Sequence, residues 1–247
     1  MNIKIRDLAD KPFTLALSSG FFGFYAHVGF LKAIEEIGLK PSAFSGTSAG
    51  AIVGAAAARG LSTKEIEKLF IRISRKDFWD PSLGLGLLRG QKFQRLLEIE
   101  IGDDFSQLQK PLRIPVFDIA SRTTKVFTSG NLARAIRASC AVPFMFHPVR
   151  IDRRFYWDGG IQDKMGIYGI GQNEKILCHY LEGNKRDPYA FYEAKRDEKA
   201  AKARGKNLIQ VCLKGLPQSH PFAMHLAPDI IEAAYKKSLI ALKKISK

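Results

Sequence analysis

Apolar residues fall along this chain in short runs punctuated by Gly, Ser and Pro, and the period changes from run to run. Phe13–Ser18 is an uncharged, mostly apolar run of strand length. From Tyr25 to Ile37 the spacing becomes helical, with Val28, Leu31 and Ile34 on one face and Gly38 as the C-cap. Pro41–Ser45 predicts a second strand and Ala51–Arg59 a helix of small residues. Ser62-Thr63-Lys64-Glu65 has the form of a capping box opening a helix that runs to about Ser74. Asp80–Gly90 reads as a Gly/Leu loop, Gln91–Ile101 as a helix and Phe105–Gln109 as a connector. Ile114–Ser121 and Thr124–Thr128 predict a hairpin, followed by a short helix over Leu132–Ser139. Pro143 and Pro148 break the chain around Phe144–His147. Arg150–Trp157 predicts two strands turning at Asp152-Arg153 and leading into Asp158-Gly159-Gly160. Lys175–Leu181 and Leu208–Leu213 are late strands, and Pro228–Ile245 is a closing helix with Ile231, Ala234, Leu239 and Leu242 on one face.

Strands that alternate with helices imply an α/β domain with a mostly parallel central sheet. Two stretches, Pro12–Leu31 and Pro41–Ala58, carry no Asp, Glu, Lys or Arg over 20 and 18 residues. Turn signals, Ser18-Ser19-Gly20 and Ser45-Gly46-Thr47-Ser48, split each into a strand and a helix, so neither predicts a membrane span. Strands buried on both faces give such unbroken runs. One domain over residues 1–247 is expected. Its motif-bearing core covers about 13–165, and a densely charged surface excursion covers about 183–207.

Composition narrows the picture in two respects. Three widely spaced cysteines, Cys140, Cys178 and Cys212, suggest neither a disulfide framework nor a metal site. Met1–Lys11 lacks the apolar core of a signal peptide, so a cytoplasmic protein is expected, one that visits membranes only peripherally. Net charge is +15, and residues 183–247 hold 14 Lys/Arg against 6 Asp/Glu. That balance favours anionic partners such as phospholipid headgroups. No nucleic-acid-binding motif is present, and aromatic residues do not interleave with the basic ones near the C-terminus, which argues against nucleic acid.

The chemistry concentrates at Gly46-x-Ser48-x-Gly50, a nucleophile-elbow pattern between a predicted strand and a predicted helix. The helix N-terminus places free N–H groups and a positive dipole end beside Ser48, where an oxyanion develops in acyl transfer. Only two strands precede the elbow, which argues against the usual α/β-hydrolase order with its late histidine. His27 reads as a core histidine. Asp158, at a strand end before two glycines, is the better partner: a carboxylate within reach of a serine can act as its base. Asp-Gly-Gly is also an ordinary turn former, and both readings stand on the residues alone.

Three segments together resemble the patatin-like phospholipase family. These are Leu15–Gly20 running on to Ala26–Ala33, then Gly46–Gly50, and then Arg137–Pro143 with Pro148–Asp152 and Tyr156–Gly160. The resemblance implies a three-layer α/β/α fold and hydrolysis of a lipid acyl ester through an acyl-serine. By position, Ser48 is the expected nucleophile and Asp158 the base, supported by Gly46, Gly50, Gly159 and Gly160. Neither a metal nor an organic cofactor is implied.

The family's glycine-rich oxyanion loop, which carries an Arg or Lys, is altered here to Ser19-Gly20-Phe21-Phe22-Gly23-Phe24. The amides of Gly20 and Phe21 are the expected oxyanion donors. Phe21 occupies a backbone position that suits glycine. Two readings follow: a phospholipase A or lysophospholipase whose phenylalanines wall an acyl pocket, or a catalytically impaired relative that binds lipid or a protein partner.

Overall fold

The computed structural model of the chain describes residues 5–182, 190–217 and 219–246. The helices are α1 (Arg6–Ala9), α2 (Phe24–Glu36), α3 (Ala49–Arg59), α4 (Thr63–Arg72), α5 (Gln91–Glu100), α6 (Leu132–Ser139), α7 (Ala190–Arg204) and α8 (Ala227–Ser246). The strands are β1 (Thr14–Leu17), β2 (Ala43–Gly46), β3 (Gly86–Leu88), β4 (Leu112–Asp118), β5 (Thr123–Phe127), β6 (Phe144–Phe146), β7 (Val149–Ile151), β8 (Arg154–Asp158), β9 (Ile176–Tyr180) and β10 (Leu208–Cys212).

The main sheet runs β10-β9-β1-β2-β4-β8-β7, with β5 also paired to β4. From β10 to β4 every pairing is parallel, whereas β5, β8 and β7 are added antiparallel. Side chains of the central strands alternate between two covered faces. Leu15, Leu17, Leu177 and Val211 join the larger core with α2, α3, α4 and α8. Ala16, Ile176, Cys178 and Tyr180 face Met165, Ile167 and Ile170, with Ala200 and Ala201 of α7 packed against them. The result is the expected three-layer α/β/α architecture with a mostly parallel sheet. It also explains the uncharged runs: β1 and β2 are buried along their whole length. Among the described residues, no helix is long and apolar enough to cross a membrane.

Local signals came through at several points. Ser62 accepts from the Glu65 amide in a full capping box. Asp152 and Arg153, at φ 47° and 68°, make the tight β7–β8 turn that needs two left-handed residues.

The structure differs from expectation at two places. The Gly/Leu loop contains β3, and the proline-flanked break contains β6; the two pair in parallel as a separate ribbon, Gly86 opposite Phe144 and Leu88 opposite Phe146. β3 touches its own neighbourhood only through an isolated bridge from Leu88 to Pro81, and its strand partner β6 is distant in sequence, so no local periodicity announces the ribbon. The charged stretch read as a surface excursion holds α7, while its residues 183–189 lie outside the described residues. Several of its charges turn inward: Asp197 accepts from the Tyr180 hydroxyl (2.8 Å), and Arg204 donates to the carbonyls of Ile167 (2.6 Å) and Gly171 (2.9 Å).

A histidine pair is buried between α2 and β9. His27 Nε2 meets the Ser18 carbonyl at 2.8 Å, so it must donate. Its Nδ1 is then bare and accepts from His179 Nδ1, 2.8 Å away. His179 Nε2 is left bare and buried, and Phe30 stacks on the ring at 4.3 Å. Burial pushes His27 down to about 4 against the opposing effect of the Ser18 carbonyl. Burial, and then His27, pushes His179 well below its ordinary value. Unfolding lets both rings titrate near 6.5, so stability is full above about pH 6.5 and falls toward about pH 4, by roughly 1.4 kcal/mol per pH unit per ring. Denaturant midpoints measured from about pH 7.5 down to about pH 5 should therefore fall, with at least one proton taken up per chain on unfolding at the acid end. A proton-neutral transition there would show that the pair is not held neutral.

Candidate active site

β2 ends at Gly46 and α3 begins at Ala49, so the chain reverses over Thr47 and Ser48. Ser48 is half-buried, with φ 54° and ψ −117°, a backbone that costs about 1–3 kcal/mol in a residue other than glycine. The turn closes because its flanking residues have no side chains. A Cβ on Gly46 would lie 2.2 Å from the Gly50 carbonyl oxygen, and one on Gly50 would lie 2.0 Å from that of Leu17. The Thr47 amide donates to Leu17 (3.1 Å) and seals the elbow against β1. The Ser48 amide donates to Ser139 Oγ (2.9 Å), and the Ser139 hydroxyl donates to the Pro115 carbonyl (2.7 Å), which ties the elbow to α6 and β4.

Asp158 arrives from β8, in register with Val116 of β4. It is buried. Its amide donates to Ala141 (2.9 Å), and its Oδ1 accepts from the Gly160 amide (2.7 Å). Gly159 lies so close that a Cβ there would be 2.2 Å from the Pro115 oxygen and 2.9 Å from Thr47 Cγ2. The same position at Gly160 would be 2.7 Å from Ser19 Oγ. Arg196 of α7 donates to the carbonyls of Gly160 (3.3 Å) and Ile161, holding the segment from behind. The expected elbow, the Asp-Gly-Gly turn and the first loop therefore meet at one end of the sheet.

Cys140 adjoins both Ser48 and Asp158. Burial, then the Asp158 carboxylate, push its thiol well up, and a hydrogen bond with the Ser48 side chain opposes them. A thiol held protonated is a poor nucleophile, so Cys140 does not compete with the serine.

A cavity of about 160 Å³ opens at Ser48. Its walls are almost wholly apolar, built from Phe21 and Phe22 of the first loop, Phe24 at the start of α2, and from α4, α5 and the β3–β6 ribbon. Among the described residues, Glu100 is the one charged residue in the lining, and it is ion-paired with Arg72. Gly20 lines the cavity as well. The loop turns from Gly20 to Gly23 with a 2.8 Å bond between them. The left-handed strain anticipated for Phe21 falls instead on Phe22, at φ 55°, the third position of the turn, where glycine is favoured. The amides of Gly20, Phe21 and Ala49 have no acceptor among the described residues.

Comparison with known proteins identifies the family. A family model described as patatin-like phospholipase matches residues 15–169. An uncharacterised NTE family protein of Mycobacterium tuberculosis is 31% identical over 192 residues, covering 75% of this chain and 53% of its own length. The chain thus spans about half the length of that relative. The uncharacterised protein YqhO of Bacillus subtilis is 26% identical over 185 residues, covering 61% of this chain and 64% of its own. Among solved structures, VipD from Legionella pneumophila superposes with a TM-score of 0.70 at 16% identity, covering 94% of this chain and 67% of that one. That likeness is one of fold.

Sequence reasoning missed three residues. Ala49 directly follows Ser48, and its amide opens α3 without an acceptor among the described residues. Ser139 sits in Arg137–Pro143, but only the fold brings it to the elbow. Arg196 gave no signal, being one cation among many. Replacing Ser139 with Ala leaves the Ser48 amide and the Pro115 carbonyl unpaired, so Ser139→Ala should cost about 1–3 kcal/mol of stability by urea unfolding. An unchanged midpoint would mean that the elbow is held by its glycines alone.

Proposed function

The chain belongs to the patatin-like phospholipase family, a family of lipid hydrolases in general, and from that premise we propose that it is a serine acyl hydrolase of the phospholipase A or lysophospholipase type. The observation that carries this reading is the apolar cavity opening at the strained serine.

Ser48 Oγ attacks the carbonyl carbon of a lipid acyl ester while Asp158 takes its proton. Charge develops on the carbonyl oxygen, and the Gly20, Phe21 and Ala49 amides stabilise it as an oxyanion hole. The C–O bond to the glycerol or headgroup side breaks, and that oxygen leaves with the proton from Asp158. Water, deprotonated by Asp158, then attacks the acyl-serine; the bond to Ser48 Oγ breaks, the fatty acid leaves, and Asp158 returns the proton to Oγ. The acyl chain lies between Phe21, Phe22 and Phe24 and the helices opposite, which gives the phenylalanines a role the family's glycines would not fill. Cationic surface residues draw the protein to anionic headgroups, at about 1 kcal/mol for each one near the membrane surface. One folded domain carries the whole site.

A second reading keeps the cavity and drops the chemistry: a lipid-binding relative without turnover. The strain at Phe22, in the loop that would hold the oxyanion, favours it.

Fluorophosphonate labelling read by intact mass separates the two. One adduct on the native chain and none on Ser48→Ala is the expected result. Asp158→Asn should then lower turnover of a soluble ester by about 100- to 10 000-fold, the range for loss of a general base. Well-folded native protein that takes no label would leave the lipid-binding reading in place.

A further inference from the structure

The β3–β6 ribbon buries Leu88 against the cavity but turns the leucines before it outward. Residues 83–87 read Leu-Gly-Leu-Gly-Leu, a period of two in which one side of the ribbon carries leucine and the other glycine. In water the leucines would ordinarily turn inward. Here the glycines do: a Cβ on Gly86 would lie 2.3 Å from the Phe146 carbonyl carbon, and one on Gly84 would lie 2.0 Å from the His147 ring. The leucines face out. Leu83 is 100% exposed, and Leu85 and Leu87 are each more than half exposed. Across the ribbon, Phe144 is 88% exposed.

Other segments extend the same surface. Phe21, Trp79 and Leu87 are exposed and also line the Ser48 cavity, so the patch rims its opening. Exposed Phe222 joins it through Arg75, whose guanidinium lies over the Phe222 ring (5.0 Å) and the Trp79 ring (5.6 Å). An apolar surface gathered from four separate segments around one cavity marks a contact site. Its charges sort by sign. Asp77 is used by Ser74 (2.7 Å), and Asp80 by the amides of Gly90, Gln91 and Lys92 (2.8, 2.7 and 3.0 Å). The cations Arg75, Lys76 and Arg89 are exposed.

From this arrangement we infer that the face formed by residues 83–87, Phe144, Phe21, Trp79 and Phe222 docks on a phospholipid bilayer and carries the cavity mouth to the lipid. Leucine and phenylalanine tips enter the acyl layer, while Arg75, Lys76 and Arg89 meet headgroup phosphates at its edge. A fluid layer suits these residues better than a protein partner does. They are separate protrusions on a thin ribbon, and Leu83 touches nothing that would shape a complementary pocket. The inference rests on the acyl-hydrolase reading only for what the cavity does after docking.

The test is co-sedimentation with vesicles of phosphatidylcholine and phosphatidylserine. Native chain should pellet with them, and so should Ser48→Ala. The double variant Leu83→Asp/Leu85→Asp should partition about ten-fold less or worse, as expected when inserted apolar tips are replaced by charge. Neither leucine lines the cavity, so its melting temperature and fluorophosphonate labelling should match the native chain's. Native protein left in the supernatant would overturn the inference, as would equal binding by the double variant. A native dimer that the double variant converts to monomers would overturn it too, and would assign the face to a second copy of the chain. Vesicle binding without labelling of Ser48 would sustain the docking face and remove the hydrolase reading; labelling without vesicle binding would do the reverse.

Discussion

The site depends on how closely the first turn of α3 approaches the ends of β1 and β2. The Gly50 Cα lies against the Leu17 carbonyl with no room for a methyl group. Any side chain there would lift the helix, and Ser48 would lose the φ of 54° that turns its hydroxyl into the cavity. The same constraint reaches the other segments. β4 pairs with β2 at its start and with β8 at its end, so the strand carrying Asp158 finishes beside the elbow. Gly159 repeats the device, its missing side chain letting the backbone sit on Pro115 and Thr47.

Holding a strained serine in place requires surroundings that cannot relax. Ser139 links the Ser48 amide of the elbow to the Pro115 carbonyl of β4, and Arg196 and Arg204 pin the backbone that follows Asp158. The histidine pair stiffens the other flank by joining α2 to β9 and to the Ser18 carbonyl, just before the loop at Ser19–Gly23. Both rings stay neutral, so they add directional hydrogen bonds without placing a buried cation beside the loop. Electrostatics near Ser48 is thereby left to backbone amides and one carboxylate, in a cavity with few other polar groups.

What was legible in the sequence was local. The elbow, the Ser62 capping box, the Asp152-Arg153 turn and the 3.6-residue stripe of α8 each announce themselves within a few residues, because turn and helix chemistry act over that distance. The ribbon did not, since β3 and β6 are far apart in sequence and each looks like a loop without the other. Ser139 was visible as a motif neighbour, but its bond to the Ser48 amide appears only once α6 is placed. The loop phenylalanines stood between two readings on sequence alone. Their position in the cavity wall supports a packing role, while the strain moves from Phe21 to Phe22.

Charge misled in an instructive way. A net charge of +15 weighted toward the C-terminal third suggests that this third is the part facing an anionic surface. Yet α7 turns Arg196 and Arg204 inward onto carbonyls, so the count of cations overstates the number free to meet headgroups. Long-range attraction falls off within about 10 Å at ordinary salt and does not fix an orientation. Orientation needs apolar side chains that gain by leaving water. The exposed ones that surround the cavity lie mostly outside the basic third, at Phe21, Trp79, residues 83–87 and Phe144, with Phe222 alone from it. On the docking proposed above, net charge would set how readily the protein approaches a membrane, and the outward leucines of the ribbon which end of the sheet it presents on arrival.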